Sequence, residues 1–188
     1  MKKKITIGIS GASGVIYGIK LLEHLSNMPD IETHLVITES GIQNINLETS
    51  YALEHVYNLA NFHYDNQNLA APIASGSFIV EAMIIMPCTI KTLSGLVNSF
   101  NSNLLLRAAD VALKENRKLV LSVRETPLHK GHLKLMHSAA DLGALILPPV
   151  PAFYNKPRHI SDIIDQCIGK ALDYIGLEHN LYQRWTGA

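Results

Sequence analysis

Short, almost continuously apolar runs alternate along this chain with longer stretches whose apolar residues recur at helical spacing. The runs predict five strands, at residues 5–10, 31–38, 82–86, 118–123 and 144–147. The longer stretches predict helices at residues 15–27, 50–60, 91–97, 104–115, 133–142 and 160–175, with a polar loop at 61–68. Strands without a polar face are typical of a parallel sheet that helices cover on both sides. The sequence therefore predicts an α/β fold with a doubly wound parallel sheet, flavodoxin-like or Rossmann-like.

Length and composition exclude several classes of protein. A chain of 188 residues fits one domain. The 16 Lys and Arg residues balance the 16 Asp and Glu residues, which argues against a nucleic-acid binder. No apolar run reaches the roughly 18 residues of a membrane span, and no signal-peptide pattern precedes the first strand, so we expect a cytoplasmic protein. Charged residues make up only 17% of the chain, which predicts a homo-oligomer that buries part of its apolar surface.

The cysteines and histidines do not form the spacing of a metal site. Cys88 and Cys167 lie far apart, without a C-x-x-C motif, and Cys88 is interpreted as a packed residue rather than a nucleophile. His129, His132 and His137 are the only histidine cluster, and they lack the i, i+4 spacing of helical metal ligands. We therefore expect no metal.

Polar residues follow the predicted strands, where ligands bind in doubly wound folds. The first strand leads into Gly8-Ile-Ser-Gly11-Ala-Ser-Gly14, a G-x-x-G-x-x-G turn before a helix. This turn either binds a phosphate at the helix N-terminus or is simply tight, and the first interpretation is favoured. Glu39, after the second strand, could bind a ribose hydroxyl of a nicotinamide cofactor. Because the glycine spacing is not that of a dinucleotide site, Glu39 is interpreted as a solvated side chain instead. Glu48 follows in a mildly polar helix.

Cations and hydroxyls follow the later strands. Pro87-Cys-Thr-Ile-Lys-Thr92 and Arg124-Glu-Thr-Pro127 each come directly after a strand, and Arg107, Asp110 and Lys114 share a helix. Such a set suits a phosphorylated ligand and proton transfer without metal or thiol chemistry.

These residues also resemble a known family. Six motifs are similar to motifs of the UbiX-type flavin prenyltransferases, in order and with matching gaps. They are Gly11-Ala-Ser-Gly14, Ser75-Gly-Ser-Phe78, Pro87-Cys-Thr-Ile-Lys-Thr92, Arg107-Ala-Ala-Asp-Val111 with Leu113-Lys-Glu115, Arg124-Glu-Thr-Pro127, and Pro148-Pro-Val-Pro-Ala-Phe-Tyr154. The resemblance implies one FMN-binding domain over residues 1–188, whose C-terminal tail (about 177–188) packs on a neighbouring subunit of a dodecamer. It implies transfer of a dimethylallyl group from dimethylallyl monophosphate to N5 and C6 of reduced FMN, without a metal. The product, prenylated FMN, serves a UbiD-type decarboxylase, often in ubiquinone biosynthesis.

The resemblance also assigns roles by position. FMN would contact Gly11, Ala12, Ser13, Thr38, Thr89, Ile90, Lys91, Thr92 and Arg124. The prenyl phosphate would contact Lys114, Arg124, Glu125, Tyr154 and Lys170, with Trp185 beside the prenyl chain. The catalytic set would be Glu48, Lys114, Arg124, Glu125 and Tyr154, and Glu48 would relay a proton with the hydroxyl of Thr38.

The chain departs from the family at three places. Thr38 replaces a frequent Ser, and Lys170 replaces an Arg, which keeps the charge but loses bidentate phosphate geometry. Residues 98–102 lack the glycine and aspartate common there.

Three other functions compete with prenyl transfer. The chain could be the small subunit of an aromatic acid decarboxylase, or a non-catalytic FMN-binding protein. A flavoprotein cysteine decarboxylase is a poorer match, because His24 and His34 lie inside a predicted helix and strand rather than at an active site.

Overall fold

The computed structural model describes residues 2–187 and contains a six-stranded parallel sheet. The strands are β1 (Lys3–Ile9), β2 (Ile31–Ile37), β3 (Phe62–Tyr64), β4 (Ala82–Cys88), β5 (Lys118–Val123) and β6 (Leu145–Ile146). Their spatial order is β3-β2-β1-β4-β5-β6, the order of a Rossmann sheet. Without the short β3, the other five strands have the flavodoxin order. The predicted fold class is confirmed.

Helices cover both faces of the sheet. They are α1 (Val15–Ser26), α2 (Glu39–Glu48), α3 (Leu53–Asn58), α4 (Ile90–Val97), α5 (Leu104–Lys114), α6 (Lys130–Asp141) and α7 (Ile160–Ile175), with a 3₁₀ turn at Pro72–Ala74. Alternate residues of β4 enter different cores: Ile84 packs with Ile19 and Leu172, and Ile85 packs with Leu105. Two cores separated by one apolar sheet explain the nearly continuous apolar strands.

Two elements differ from the sequence-based expectation. The polar loop predicted at residues 61–68 contains β3, an edge strand whose Phe62 and His63 are exposed, so it lacks an apolar run. The helix predicted at residues 50–60 is shortened to the six residues of α3, whereas the polar helix that ends at Glu48 is ten residues long. That helix, α2, buries only Gly41 and Ile45, and therefore gives a faint periodic signal.

The remaining elements match the expected ones apart from their ends. In α6, the side chain of His129 accepts a hydrogen bond from the amide of Gly131, so the helix begins at Lys130 rather than at the predicted residue 133. The last strand, β6, is shortened to Leu145–Ile146.

The thiols are buried, as the sequence indicated for Cys88. Both Cys88 and Cys167 are free and buried. Burial raises the pKa of Cys88 to about 12 and that of Cys167 to about 11, so both stay protonated at neutral pH. Within residues 2–187, no helix is long and apolar enough to cross a bilayer.

Candidate active site

A cleft of about 270 Å³ opens at the carboxyl ends of β1, β2 and β4. The sheet order reverses between β1 and β4, which is where ligands bind in this type of fold. The cleft is lined by the ends of β1 and β2, the loop after β3, helical residues of α2, α4 and α5, and the segment before α5. The lining residues are Ser10, Gly11, Thr38, Glu39, Ser40, Asn66, Gln67, Thr89, Lys91, Thr92, Gly95, Phe100, Ser102, Asn103 and Leu106.

Ser10 joins the ends of β1 and β4 at the floor of the cleft. Its buried hydroxyl donates to the carbonyl of Pro87 over 2.9 Å and accepts from the amide of Thr89 over 2.8 Å. Thr89 in turn caps α4, since its Oγ1 accepts from the amide of Thr92 at 3.0 Å. These bonds leave the amides of Ile90 and Lys91 without a hydrogen bond to the described part of the chain. The start of α4 therefore offers donors to an anion.

The glycine-rich turn after β1 has the same character. A side chain at Gly11 would overlap the Cβ of Ser40, so only glycine lets this turn approach α2. Gly14 has φ of 95°, and its amide donates to Oε2 of Glu48 at 2.7 Å. The amides of residues 11–13 donate no hydrogen bond within residues 2–187. This favours the phosphate interpretation of the turn.

The predicted pairing of Glu48 with Thr38 does not form within one subunit. Thr38 caps the start of α2 and Glu48 ends it, so the ten-residue helix separates them by about 15 Å. Glu48 instead contacts Gly14, directly after Ser13. The contact places Glu48 at the glycine turn that contains Ser13, and the sequence could not show this because the contact spans 34 positions.

Arg124 follows β5 at the same edge of the sheet, and its amide donates to the carbonyl of Cys88 at 3.0 Å. Its charge reaches Tyr17 of α1. Burial raises the pKa of Tyr17, and the positive charge of Arg124 opposes that rise. Tyr17 also lies against Gly14. Tyr17 was not among the residues predicted from the sequence, where its position in the first helical turn after the glycine motif was the one available signal. Glu125 is exposed next to Arg124.

The aromatic members of the predicted prenyl site meet near the chain's C-terminus. The rings of Tyr154 and Trp185 lie edge to face with centroids 6.0 Å apart. They border a cavity of about 280 Å³ formed by Tyr154, Asn155, Lys156 and residues 183–187. Lys170 lies close by on α7, with Nζ 5.4 Å from the ring centre of Tyr182.

Lys114 lies apart from the other predicted site residues. Lys114 is the last residue of α5, which begins at the carboxyl edge of the sheet and runs back to the amino edge. There the Lys114 side chain pairs with Glu115 beside Gly76. The six residues of β5 span about 20 Å, and Arg124 lies beyond their far end. One subunit alone therefore does not bring Lys114 and Arg124 together.

Comparison with known proteins identifies the family. The Flavoprotein family model matches residues 1–177. Flavin prenyltransferase UbiX of Escherichia coli K12 is 53% identical over 188 residues, covering 99% of this chain and all of that protein. The crystal structure of AnUbiX in complex with FMN and dimethylallyl pyrophosphate superposes with a TM-score of 0.98 at 42% identity, and each chain is covered completely.

A second solved structure is the dodecameric FMN-dependent UbiX-like decarboxylase of Escherichia coli O157:H7. It has a TM-score of 0.96 and 44% identity, and covers 98% of this chain and all of its own. On these matches, the chain belongs to the Flavoprotein family and, within it, to the UbiX-type flavin prenyltransferases.

Proposed function

We propose that this chain transfers a dimethylallyl group from dimethylallyl monophosphate to N5 and C6 of reduced FMN, and that prenylated FMN then passes to a UbiD-type decarboxylase. The observation that carries the proposal is the cleft at the switch between β1 and β4, where free amides and capping hydroxyls converge. Arg124 and Glu48 flank that region. The match to relatives named flavin prenyltransferases supports the same activity.

The donor set of the cleft fits FMN. The amides of Gly11, Ala12 and Ser13 suit the FMN phosphate, because they are unpaired within residues 2–187 and lie at a helix start. Polar groups suited to the flavin come from Thr38, Thr89, Ile90, Lys91 and Thr92. When bound, reduced FMN supplies the nucleophilic N5 and C6 atoms.

The chain's own residues act on the leaving phosphate and on protons. The allylic C–O bond of the donor would break, and the phosphate would leave with the electron pair of that bond, while C1 of the prenyl group bonds to N5 and the N5 proton is released. Protonation of the prenyl double bond at C2 would then let C3 bond to C6, which releases its own proton. Arg124 and Lys170 stabilise the growing negative charge, and Glu125 or Tyr154 protonates the phosphate. Glu48, next to Gly14, accepts a proton released from the flavin. The face of Trp185 stabilises positive charge on the allyl group.

The complete site needs more than one subunit. Lys114 is at the opposite edge of the sheet from Arg124, so a neighbouring subunit supplies it. Several large apolar side chains are exposed in the single chain and would be covered by neighbours, namely Leu47, Phe100, Val150, Phe153 and Ile160. We propose a dodecamer, which is the assembly of the UbiX-like relative from Escherichia coli O157:H7. The predicted contact of the tail at about residues 177–188 with a neighbouring subunit stays a proposal, and Ala188 lies outside the described residues. A role in ubiquinone biosynthesis and a cytoplasmic location stay predictions.

Product analysis separates this function from its rivals. The purified chain, incubated without oxygen with reduced FMN and dimethylallyl monophosphate, should release one phosphate per flavin consumed. The same reaction with dimethylallyl pyrophosphate shows which donor is used. A decarboxylase would instead release carbon dioxide from a hydroxybenzoate without a partner protein. A non-catalytic FMN-binding protein would bind FMN and release neither product.

A further inference from the structure

The C-terminal tail, defined here as residues 177–187, folds back along α7 and is held by one carboxylate. Asp173 receives hydrogen bonds from the tail's Tyr182 hydroxyl at 2.5 Å and from Arg184 at 2.5 and 3.2 Å. Nε2 of His179 lies 3.1 Å from the same carboxylate. Burial alone would raise the pKa of Asp173, but the hydrogen bonds from Arg184, Tyr182 and His179 outweigh it and lower the pKa to about 2.

Gly169 provides the second half of this attachment. It lies four residues before Asp173, on the same face of α7. A Cβ at Gly169 would come within 2.6 Å of the Tyr182 ring and 2.7 Å of the His179 ring. The absent side chain therefore leaves the space that the two tail rings occupy. Asp173 and Gly169 together form a docking face for the tail, and neither residue has a role in the prenyl transfer proposed above.

The docked tail determines where Trp185 lies. Trp185 directly follows Arg184, which Asp173 holds through both terminal nitrogens. The Trp185 side chain is 64% exposed, so apolar burial contributes little to its position. Its described aromatic contact is the edge-to-face approach to Tyr154. Without the bonds to Asp173, little in the single chain would keep Trp185 beside Tyr154.

We propose that Asp173 is a positioning residue for prenyl transfer: by holding Tyr182 and Arg184 it clamps the tail to α7, and thereby fixes Trp185 against Tyr154 at the prenyl site. This inference rests on the proposed function for its effect on the reaction, but not for the clamp itself. Asp173 touches neither FMN nor donor in this account. Its loss should therefore weaken donor binding and leave FMN binding unchanged.

The chain's single tryptophan makes the clamp measurable. Fluorescence anisotropy of Trp185 reports how firmly the tail is held, independently of activity. We would compare Asp173→Asn with Gly169→Ala, which displaces Tyr182 sterically while alanine favours the helix. Glu178→Gln is the matched control, because it removes an exposed carboxylate of the same tail that makes no hydrogen bond within residues 2–187. Asp173→Glu tests rescue by a conserved charge.

Asp173→Asn and Gly169→Ala should both lower the anisotropy and raise KM for the dimethylallyl donor about tenfold, the equivalent of losing one charge-assisted hydrogen bond. The dissociation constant of FMN should stay unchanged, Glu178→Gln should behave as wild type, and Asp173→Glu should recover part of the loss. Since Gly169→Ala leaves the charges intact, it decides the question even if Asp173→Asn does not fold.

The proposal is overturned if both variants keep the wild-type anisotropy, or if the anisotropy falls while KM for the donor does not change. A wild-type chain that transfers no prenyl group would refute the proposed function, and with it the role in the reaction. The anisotropy of the variants would then still show whether Asp173 clamps the tail, so the two failures are distinguishable.

Discussion

Replacing Ser10 by alanine tests how the cleft is held open. The amide of Thr89 donates to Ser10 Oγ and has no other acceptor within residues 2–187. The carbonyl of Pro87, by contrast, also accepts from the amide of Ser10 at 3.1 Å. Ser10→Ala therefore leaves one donor unpaired. Such a loss costs about 1–3 kcal/mol. In a domain of this size, about 2 kcal/mol lowers Tm by about 4–8 °C.

Ser122→Ala is the matched control. Ser122 is 1% exposed, like Ser10, but its Oγ has no hydrogen-bond partner within residues 2–187. Because Ser122→Ala removes a buried hydroxyl that has no partner within residues 2–187, we expect it to leave stability unchanged or to raise it. Thermal unfolding and FMN titration should show a lower Tm and about tenfold weaker FMN binding for Ser10→Ala alone, since Thr89 begins one wall of the cleft. Equal behaviour of the two variants would refute the role given to Ser10.

Three further predictions concern charge and assembly. Arg124→Ala should lower kcat about 10²–10³-fold, because it removes a charge that stabilises the leaving phosphate, and should change Tm little because the side chain is exposed; unchanged turnover contradicts the role. Lys114→Ala and Arg124→Ala chains, each inactive alone, should recover about a quarter of wild-type activity when they are co-expressed, because about a quarter of the shared sites then receive an intact Lys114 from one subunit and an intact Arg124 from another; no recovery argues against a shared site. Because folding lowers the pKa of Asp173 from 3.8 to about 2, tail docking is stabilised above about pH 4 and lost as the pH falls toward 2. Trp185 anisotropy should follow that window, and a loss near pH 6 would contradict it.

The fold could be predicted from the sequence wherever burial is two-sided. The strand at β4 is buried at all seven positions, and such a run has few other interpretations. β3 could not be predicted in this way, because Phe62 and His63 are exposed and only pairing with β2 makes the segment a strand. The apolar periodicity of α2 was weak for a related reason, since this helix buries only Gly41 and Ile45.

In the site, too, features that depend on the local sequence could be predicted and contacts between distant segments could not. Residues at or directly after strand ends, such as Ser10, Thr89 and Arg124, could be placed at one sheet edge from the strand pattern. Contacts between distant segments could not: Glu48 reaches Gly14 rather than Thr38 because α2 folds back toward the glycine turn. Nor could the clamp at Asp173, since no local pattern marks a helical carboxylate as the partner of the following tail.

The mass of the flavin after reaction shows directly whether this chain transfers a prenyl group. Reduced FMN and dimethylallyl monophosphate would be incubated with the purified chain without oxygen, and the extracted flavin would be weighed by mass spectrometry beside a sample made with Arg124→Ala. We expect the flavin of the wild-type sample to gain one isoprenyl unit and that of the variant sample to remain mostly unmodified FMN. FMN that binds to the wild-type chain but keeps its mass with both the monophosphate and the pyrophosphate donor would contradict this expectation.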